Sequence, residues 1–235
     1  MILVIASRAD AAALVLVQQW ASEGASLLTP RDLSQRGWRY YLNGSQPSTA
    51  GIGGQKVRVD QIQGVLTRIP SIWPQELSHI IPADRSYVAA EMTAFLTSWL
   101  AALPCAVLNR PTSTGLSGPY WRHEQWTQIA AEVGLAAQPA LRRVILRAPQ
   151  LLDTPESSAV AVTVVGAQAF GSVDSVLYAQ AHRLAQAAQV DLLTVRFSSP
   201  AADATFVGAD ICADVTDGDI REAMLEYFHR AAHRR

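Results

Sequence analysis

The chain has 235 residues, 49% of them hydrophobic, and a formal net charge of −1. That length suffices for one large domain or two small ones with a real core, and the composition excludes a disordered chain. A balance this close to neutral carries no field suited to nucleic acid or an anionic membrane, and no apolar run approaches the roughly 20 residues of a membrane span. The amino terminus reads Met-Ile-Leu-Val-Ile-Ala, with Arg8 and Asp10 following at once, so no basic region of a signal peptide precedes the apolar stretch. These features predict a cytoplasmic protein. Cys105 and Cys212 sit in apolar contexts without zinc spacing or disulfide count, and are read as small core residues. Among 19 Lys+Arg the single lysine is Lys56.

In chain order, residues 2–6 predict a buried strand. The apolar stretch from Ala11 to Trp20 predicts a helix with Leu14 and Val17, and with less regular spacing Val15, toward the core. Gly24 closes it and Ser26–Leu28 resumes an extended run, the opening of a parallel α/β sheet. The turn after the first strand, Ser7-Arg8-Ala9-Asp10, contains no glycine and is no dinucleotide fingerprint. Residues 37–63 carry five glycines between short apolar pairs and predict short strands or a hairpin. Gly51-Ile-Gly-Gly54 lacks the Gly-Lys-Ser/Thr ending of a phosphate loop and reads as a turn.

Gly64–Pro70 predicts a strand ending in Arg68. A helix then begins at Asp84 as cap, with Val88, Met92, Phe95, Leu96, Trp99, Leu100 and Leu103 on its core face, and Pro104 stops it. Cys105–Leu108 predicts a buried strand running into the polar loop Asn109–Gly115, and ligands of open α/β sheets bind at such carboxyl ends. A helix follows over 121–133. Residues 136–157, with Pro139, Pro149 and Pro155, read as a connection interrupted by one strand at 143–146. Beyond it come a hairpin over 159–170, a helix over 173–188, a strand over 191–197, extended segments at 205–207 and 210–212, and a last helix from Asp217 carrying Ile220, Met224, Phe228 and Ala231 on one face.

Several of these segments, in this order, resemble the ATP-grasp superfamily, in particular the glutathione-synthetase-like and microviridin-type peptide ligases. Gly64–Pro70 is similar to the strand of the pre-ATP-grasp domain that ends in arginine. Tyr87–Phe95 is similar to the glutamate-bearing helix after it, and Val107–Pro111 to the Asn-Pro strand end. Val162–Gly171 resembles the Val-Val-Gly hairpin of the grasp domain, and Phe206–Ile211 a closing strand. The resemblance implies an α/β fold. A Rossmann-like pre-ATP-grasp domain (1–135) would be followed by a connection (136–158) and a truncated ATP-grasp-like α+β domain (159–235).

The departures from the family imply a degenerate member. The connection is too short for the ATP-binding subdomain. Trp121-Arg122 stands where the family helix opens with lysine, and Lys56 lies outside the matching blocks. Asp210 and Asp214 stand where the family has glutamate and asparagine on magnesium. Arginine does not replace a lysine point charge on phosphate neutrally, and phosphoryl transfer needs cations on the transferring group. The expected cofactor is therefore none, the alternative being Mg-ATP.

Arg68, Asn109, Arg110, Thr112 and Thr114 are the candidate substrate-binding residues at the sheet's carboxyl edge, with Arg122 at the next helix start; their arginines suit a carboxylate or peptide. No catalytic residue is assigned. His123 beside Glu124 reads as a solvated helix start, and His229 with His233 as a terminal pair. Asp210 and Asp214 are either turn caps or ligands for one hydrated magnesium. Trp38, Trp73, Trp121 and Trp126 fall near loops and helix starts, where exposed aromatics beside arginines mark interfaces. The expected function is non-catalytic binding of a peptide or protein partner, as an accessory subunit in a peptide-modification or biosynthetic pathway, with self-association as a further role of the surface. The alternative is an ATP-dependent carboxylate–amine ligase completed by a partner chain.

Overall fold

The structure, a computed structural model, describes residues 1–41, 46–137 and 159–233. The expected strand at 143–146 and nearly all of the connection lie outside the described residues. In chain order the elements are β1 (Ile2–Ile5), α1 (Ala11–Gln19), β2 (Ser26–Leu28), β3 (Thr49–Ile52), β4 (Gln55–Arg58), β5 (Gly64–Thr67), α2 (Arg85–Ala102), β6 (Ala106–Leu108), α3 (His123–Glu132), β7 (Val160–Val165), β8 (Gln168–Phe170), α4 (Ser175–Ala187), β9 (Leu192–Phe197), β10 (Phe206–Asp210) and α5 (Gly218–His233). No described helix is long and apolar enough to cross a membrane.

Contacts divide the chain into two compact units. One holds residues 1–120 and 214–235, the other 121–213. This differs from a cut at 135. Helix α3 joins the second unit because Trp126 and Ala130 complete its core, and α5 returns to the first.

The first unit is a parallel sheet in the order β2-β1-β5-β6, with Ile5 opposite both Leu28 and Thr67, and Leu66 opposite Leu108. Strands buried on both faces read as continuous apolar runs, as β1 and β5 do. Leu96, Trp99 and Leu100 of α2 fill the core on one side with Leu3, Ile5 and Val65. Asp10 caps α1, accepting from Ala13 N at 3.0 Å, and the helix then buries Ala13, Leu16 and Trp20. Leu14 and Val15, expected toward the core, are 48% exposed. Because α1 is apolar all round, periodicity could not set its phase. The β3–β4 hairpin turns through Gly53 and Gly54, both at positive φ, so Gly51–Gly54 is indeed turn backbone.

Asp84, expected to cap α2, makes no side-chain cap bond to it, and the Arg85 guanidinium donates back to Ile80 O and Ser78 O in the preceding loop. At the other end, the Arg110 guanidinium donates to the carbonyls of Leu100, Ala101, Leu103 and Cys105 at 3.1–3.4 Å. These satisfy carbonyls the helix itself leaves open, at the end where a cation is favoured. Cys105 is buried, as expected, but Cys212 is exposed.

The second unit is an antiparallel sheet, β10-β9-β7-β8, with α3 and α4 on one face. Asp174 caps α4 through Val176 N. Val162, Val164, Leu193, Val195 and Phe206 meet Trp126, Leu177, Ala181 and Leu184 in its core, while Thr163 and Thr194 pair through their hydroxyls at 3.0 Å.

In the first unit, α5 lies close against β5. A Cβ on Gly64 would fall 2.4 Å from ring atoms of Phe228, which is fully buried and edge-on to Trp20. Gly64→Ala is expected to lower the unfolding free energy by about 1–3 kcal/mol, read as a lower urea midpoint. Adding Phe228→Ala should cost less than the sum of the single changes, because the second change removes the atoms the first collides with.

Candidate functional site

The site is built on the carboxyl edge of the parallel sheet, where the loops after β1, β2, β5 and β6 emerge. Its centre is an ion pair. Arg68, directly after β5, donates through Nε to Asp10 Oδ2 at 2.8 Å and through Nη2 to Asp10 Oδ1 at 3.5 Å. The Arg68 side chain is only 9% exposed. Burial alone would raise the Asp10 carboxyl, but the hydrogen bonds from Arg68 and from Ala13 N hold its pKa below the ordinary carboxylate value. Asp214 is held low by the Thr216 hydroxyl and N–H, against a smaller effect of burial, with the charge of Arg68 adding to the same direction.

The loop after β6 is tied to itself and to its neighbour. Asn109 is buried, and its Nδ2 donates to Ser117 O. The Thr112 hydroxyl donates to Gly118 O and lies 3.1 Å from that of Thr114, which accepts from Tyr120 N. Leu116 N donates to Pro70 O, joining this loop to the one after β5. His79 Nε2 and Ser34 Oγ, at 2.8 Å, join the β5 loop to the one after β2.

The predicted residues therefore separate. Arg68, Asn109, Thr112 and Thr114 lie together at the ends of β5 and β6. Arg110 is occupied at the end of α2, and Arg122 precedes α3 in the other compact unit. Asp210 and Asp214 likewise fall in different units. Asp210 pairs with Arg196 at 3.7 Å and accepts from Cys212 N, while Asp214 accepts from Thr216. Among the described residues, no three His, Cys, Asp or Glu gather as a metal site. Lys56 is exposed on β4. Asp210 and Asp214 each accept from the backbone of their own turn, and the lone lysine sits on a hairpin.

The tryptophan expectation needs correction. Trp38 packs on Phe95 and Trp99, Trp126 is buried, and Trp121 stacks edge-on to Trp126. Only Trp73 of the four is exposed, at 48%. Sequence reasoning missed its companions. Ile81 before α2, Tyr87 in its first turn and Tyr120 after β6 are exposed by more than half. Nothing in a residue type signals that an aromatic at a helix start faces water. Beyond β1 and β2 the same edge holds a cleft of about 290 Å³, lined by residues 7–9, 29–31 and the 75–79 segment.

A fold with this parallel unit and this antiparallel unit is that of the ATP-grasp ligases. The chain is similar to the macrocyclase MdnC of Microcystis aeruginosa bound with its precursor peptide MdnA, at 12% identity and TM-score 0.65 over 97% of this chain and 98% of that one. It is also similar to a Chryseobacterium gregarium RiPP-associated ATP-grasp ligase in complex with ADP and a leader and core peptide (11% identity, TM-score 0.63, covering 97% and 96%). A third likeness is to the ATP-grasp ligase PsnB complexed with a minimal precursor (12%, 0.61, covering 96% and 98%). No family model and no curated protein matches the sequence.

Asp10→Asn keeps the helix cap, since asparagine caps as well as aspartate, but removes the charge facing Arg68. A depressed folded pKa means that the unfolded chain binds more protons, so the stability from Asp10 is full above about pH 4 and is lost as pH falls through its folded value. Denaturation midpoints measured from neutral pH downward should fall in the native chain. In Asp10→Asn they should start lower and fall less steeply; equal slopes would remove Asp10 from the acid response.

Proposed function

We propose that the chain binds a peptide at the carboxyl edge of its parallel sheet and acts as a non-catalytic accessory component of a peptide-modification pathway. The observation that carries this reading is the set of exposed large apolar side chains at that edge, Trp73, Ile81 and Tyr120 on its loops and Tyr87 in the first turn of α2. Aromatic anchors of this kind dominate the energetics of peptide and protein interfaces. The fold likeness supports the peptide as partner, because ligases of this fold have been crystallised with precursor peptides. Non-catalysis is supported by the single exposed Lys56 and by the commitment of Asp210 and Asp214 to separate partners.

A second reading, an ATP-dependent carboxylate–amine ligase completed by another chain, is favoured by one observation. Proteins of this fold have been crystallised with ADP and magnesium.

The two readings part in one experiment. Peptides selected by display against the full chain are titrated calorimetrically, with and without Mg-ATP, into the native protein and into Trp73→Ala/Tyr87→Ala. The binding reading expects nucleotide to produce no heat and to leave peptide affinity unchanged. It also expects the double variant to weaken binding at least tenfold, as for loss of interface anchors. Saturable Mg-ATP binding would put the ligase first, and undiminished binding by the double variant would remove the aromatic edge as the peptide site.

A further inference from the structure

The arginines of this chain divide by whether their charge is used. Arg58, Arg68, Arg196 and Arg230 pair with carboxylates, and Arg85, Arg110 and Arg221 donate to backbone carbonyls. Arg8 and Arg31 do neither among the described residues, yet both line the same cleft of about 290 Å³ at the carboxyl ends of β1 and β2.

The backbone that presents them is held on both sides. Arg8 sits in a turn where Ala9 N donates to Ser7 Oγ and Asp10 N to Ser7 O. Arg31 lies inside a box in which Asp32 accepts from the Thr29 N–H and hydroxyl at 2.8 and 2.7 Å. Thr29 and Asp32 are buried, so the box is rigid. Two unengaged guanidinium groups on fixed turns, in one concavity, form an anion site in waiting.

The rest of the lining narrows the anion. Glu76 also lines the cleft, so Arg8, Arg31 and Glu76 together carry a formal charge of +1 rather than +2. A singly charged carboxylate would leave the site neutral, whereas a dianionic phosphate has more hydration to lose and would leave one negative charge uncompensated beside Glu76. Gln75 and Ser78 add hydrogen-bonding groups beside it, of the kind that satisfy an amide.

Resting on the reading of this edge as a peptide-binding surface, we propose that the cleft of Arg8 and Arg31 is a subsite for a peptide carboxylate with its flanking amide, and discriminates against phosphate through Glu76. The carboxylate comes either from an acidic side chain or from a peptide's carboxyl terminus; the chemistry recognised is the same.

The test is an amide-NMR titration of the full chain at constant ionic strength with four probes: N-acetyl-glutamate carboxamide, N-acetyl-alanine, N-acetyl-glutamine carboxamide and inorganic phosphate. Saturable millimolar shifts around residues 8, 31 and 75–79 are expected with the two acids, and none with the neutral amide. The tighter acid identifies the source of the carboxylate. Phosphate should bind about tenfold more weakly than the better acid, and Glu76→Gln should close that gap. Arg8→Ala/Arg31→Ala should keep the melting temperature, since neither guanidinium is engaged, and weaken the acids at least tenfold. Unchanged binding by that variant, phosphate binding equal to the acids in the native chain, or no shift with any probe would each overturn the subsite. None of the probes carries an aromatic anchor. Their failure alongside intact binding of display-selected peptides would remove the subsite alone, whereas loss of peptide binding with intact probe binding would remove the aromatic edge alone.

Discussion

A parallel sheet has to be covered on both faces, and here the second face waits for the last helix of the chain. Strand β5 is central, and its first residue is a glycine because Phe228 of α5 occupies the space a side chain would need. The same ring meets Trp20 at the end of α1. The first unit is thus complete only once residues 218–233 have docked, with 121–213 carried between its two pieces in sequence. This return also brings Asp214 within the electrostatic reach of Arg68, at the edge where the loops converge.

Most elements were legible because each carried a local signal. Continuous apolar runs marked β1, β5, β7 and β9, the glycine pair marked the β3–β4 turn, and a seven-residue apolar stripe marked α2. What failed to read was long-range. The phase of α1 depends on which side the sheet lies, and a helix with no charged residue between Ala11 and Gln19 carries no record of it. The return of α5 to the first unit is encoded in the shape match between Gly64 and Phe228, 164 positions apart in sequence, which no periodicity expresses. In place of two extended segments at 205–207 and 210–212 there is one strand, β10 (Phe206–Asp210), irregular between Phe206 and Gly208, and the chain bends at 211–212.

The candidate site was legible as a place more than as a set of residues. The carboxyl ends of β5 and β6 were expected to carry it, and Arg68 and Asn109 do lie there. Arginine is ambiguous, however, because the same fork that grips a ligand carboxylate also closes a helix end or pairs with a buried aspartate. Arg110 took the first structural role and Arg68 the second. The turn around Arg8, by contrast, carries no local signal of a binding role.

Engagement separates the two kinds of arginine in a chain where nearly every basic residue is one. A guanidinium that satisfies backbone carbonyls or a buried carboxylate cannot turn to a ligand without leaving those groups unpaired, and that cost falls on folding. At this edge Arg68 is held by Asp10, whereas Arg8 and Arg31 are left to act from it. Because the loops after β2, β5 and β6 are stitched to one another through His79–Ser34 and Leu116–Pro70, Trp73, Tyr120 and Arg31 stand on backbone ordered before any partner arrives. A partner binding there orders side chains rather than loops, which reduces the entropy lost on association. Fold likeness alone supplies no such argument, since one fold carries many functions. The case for peptide recognition rests on what this edge presents and how firmly it is held.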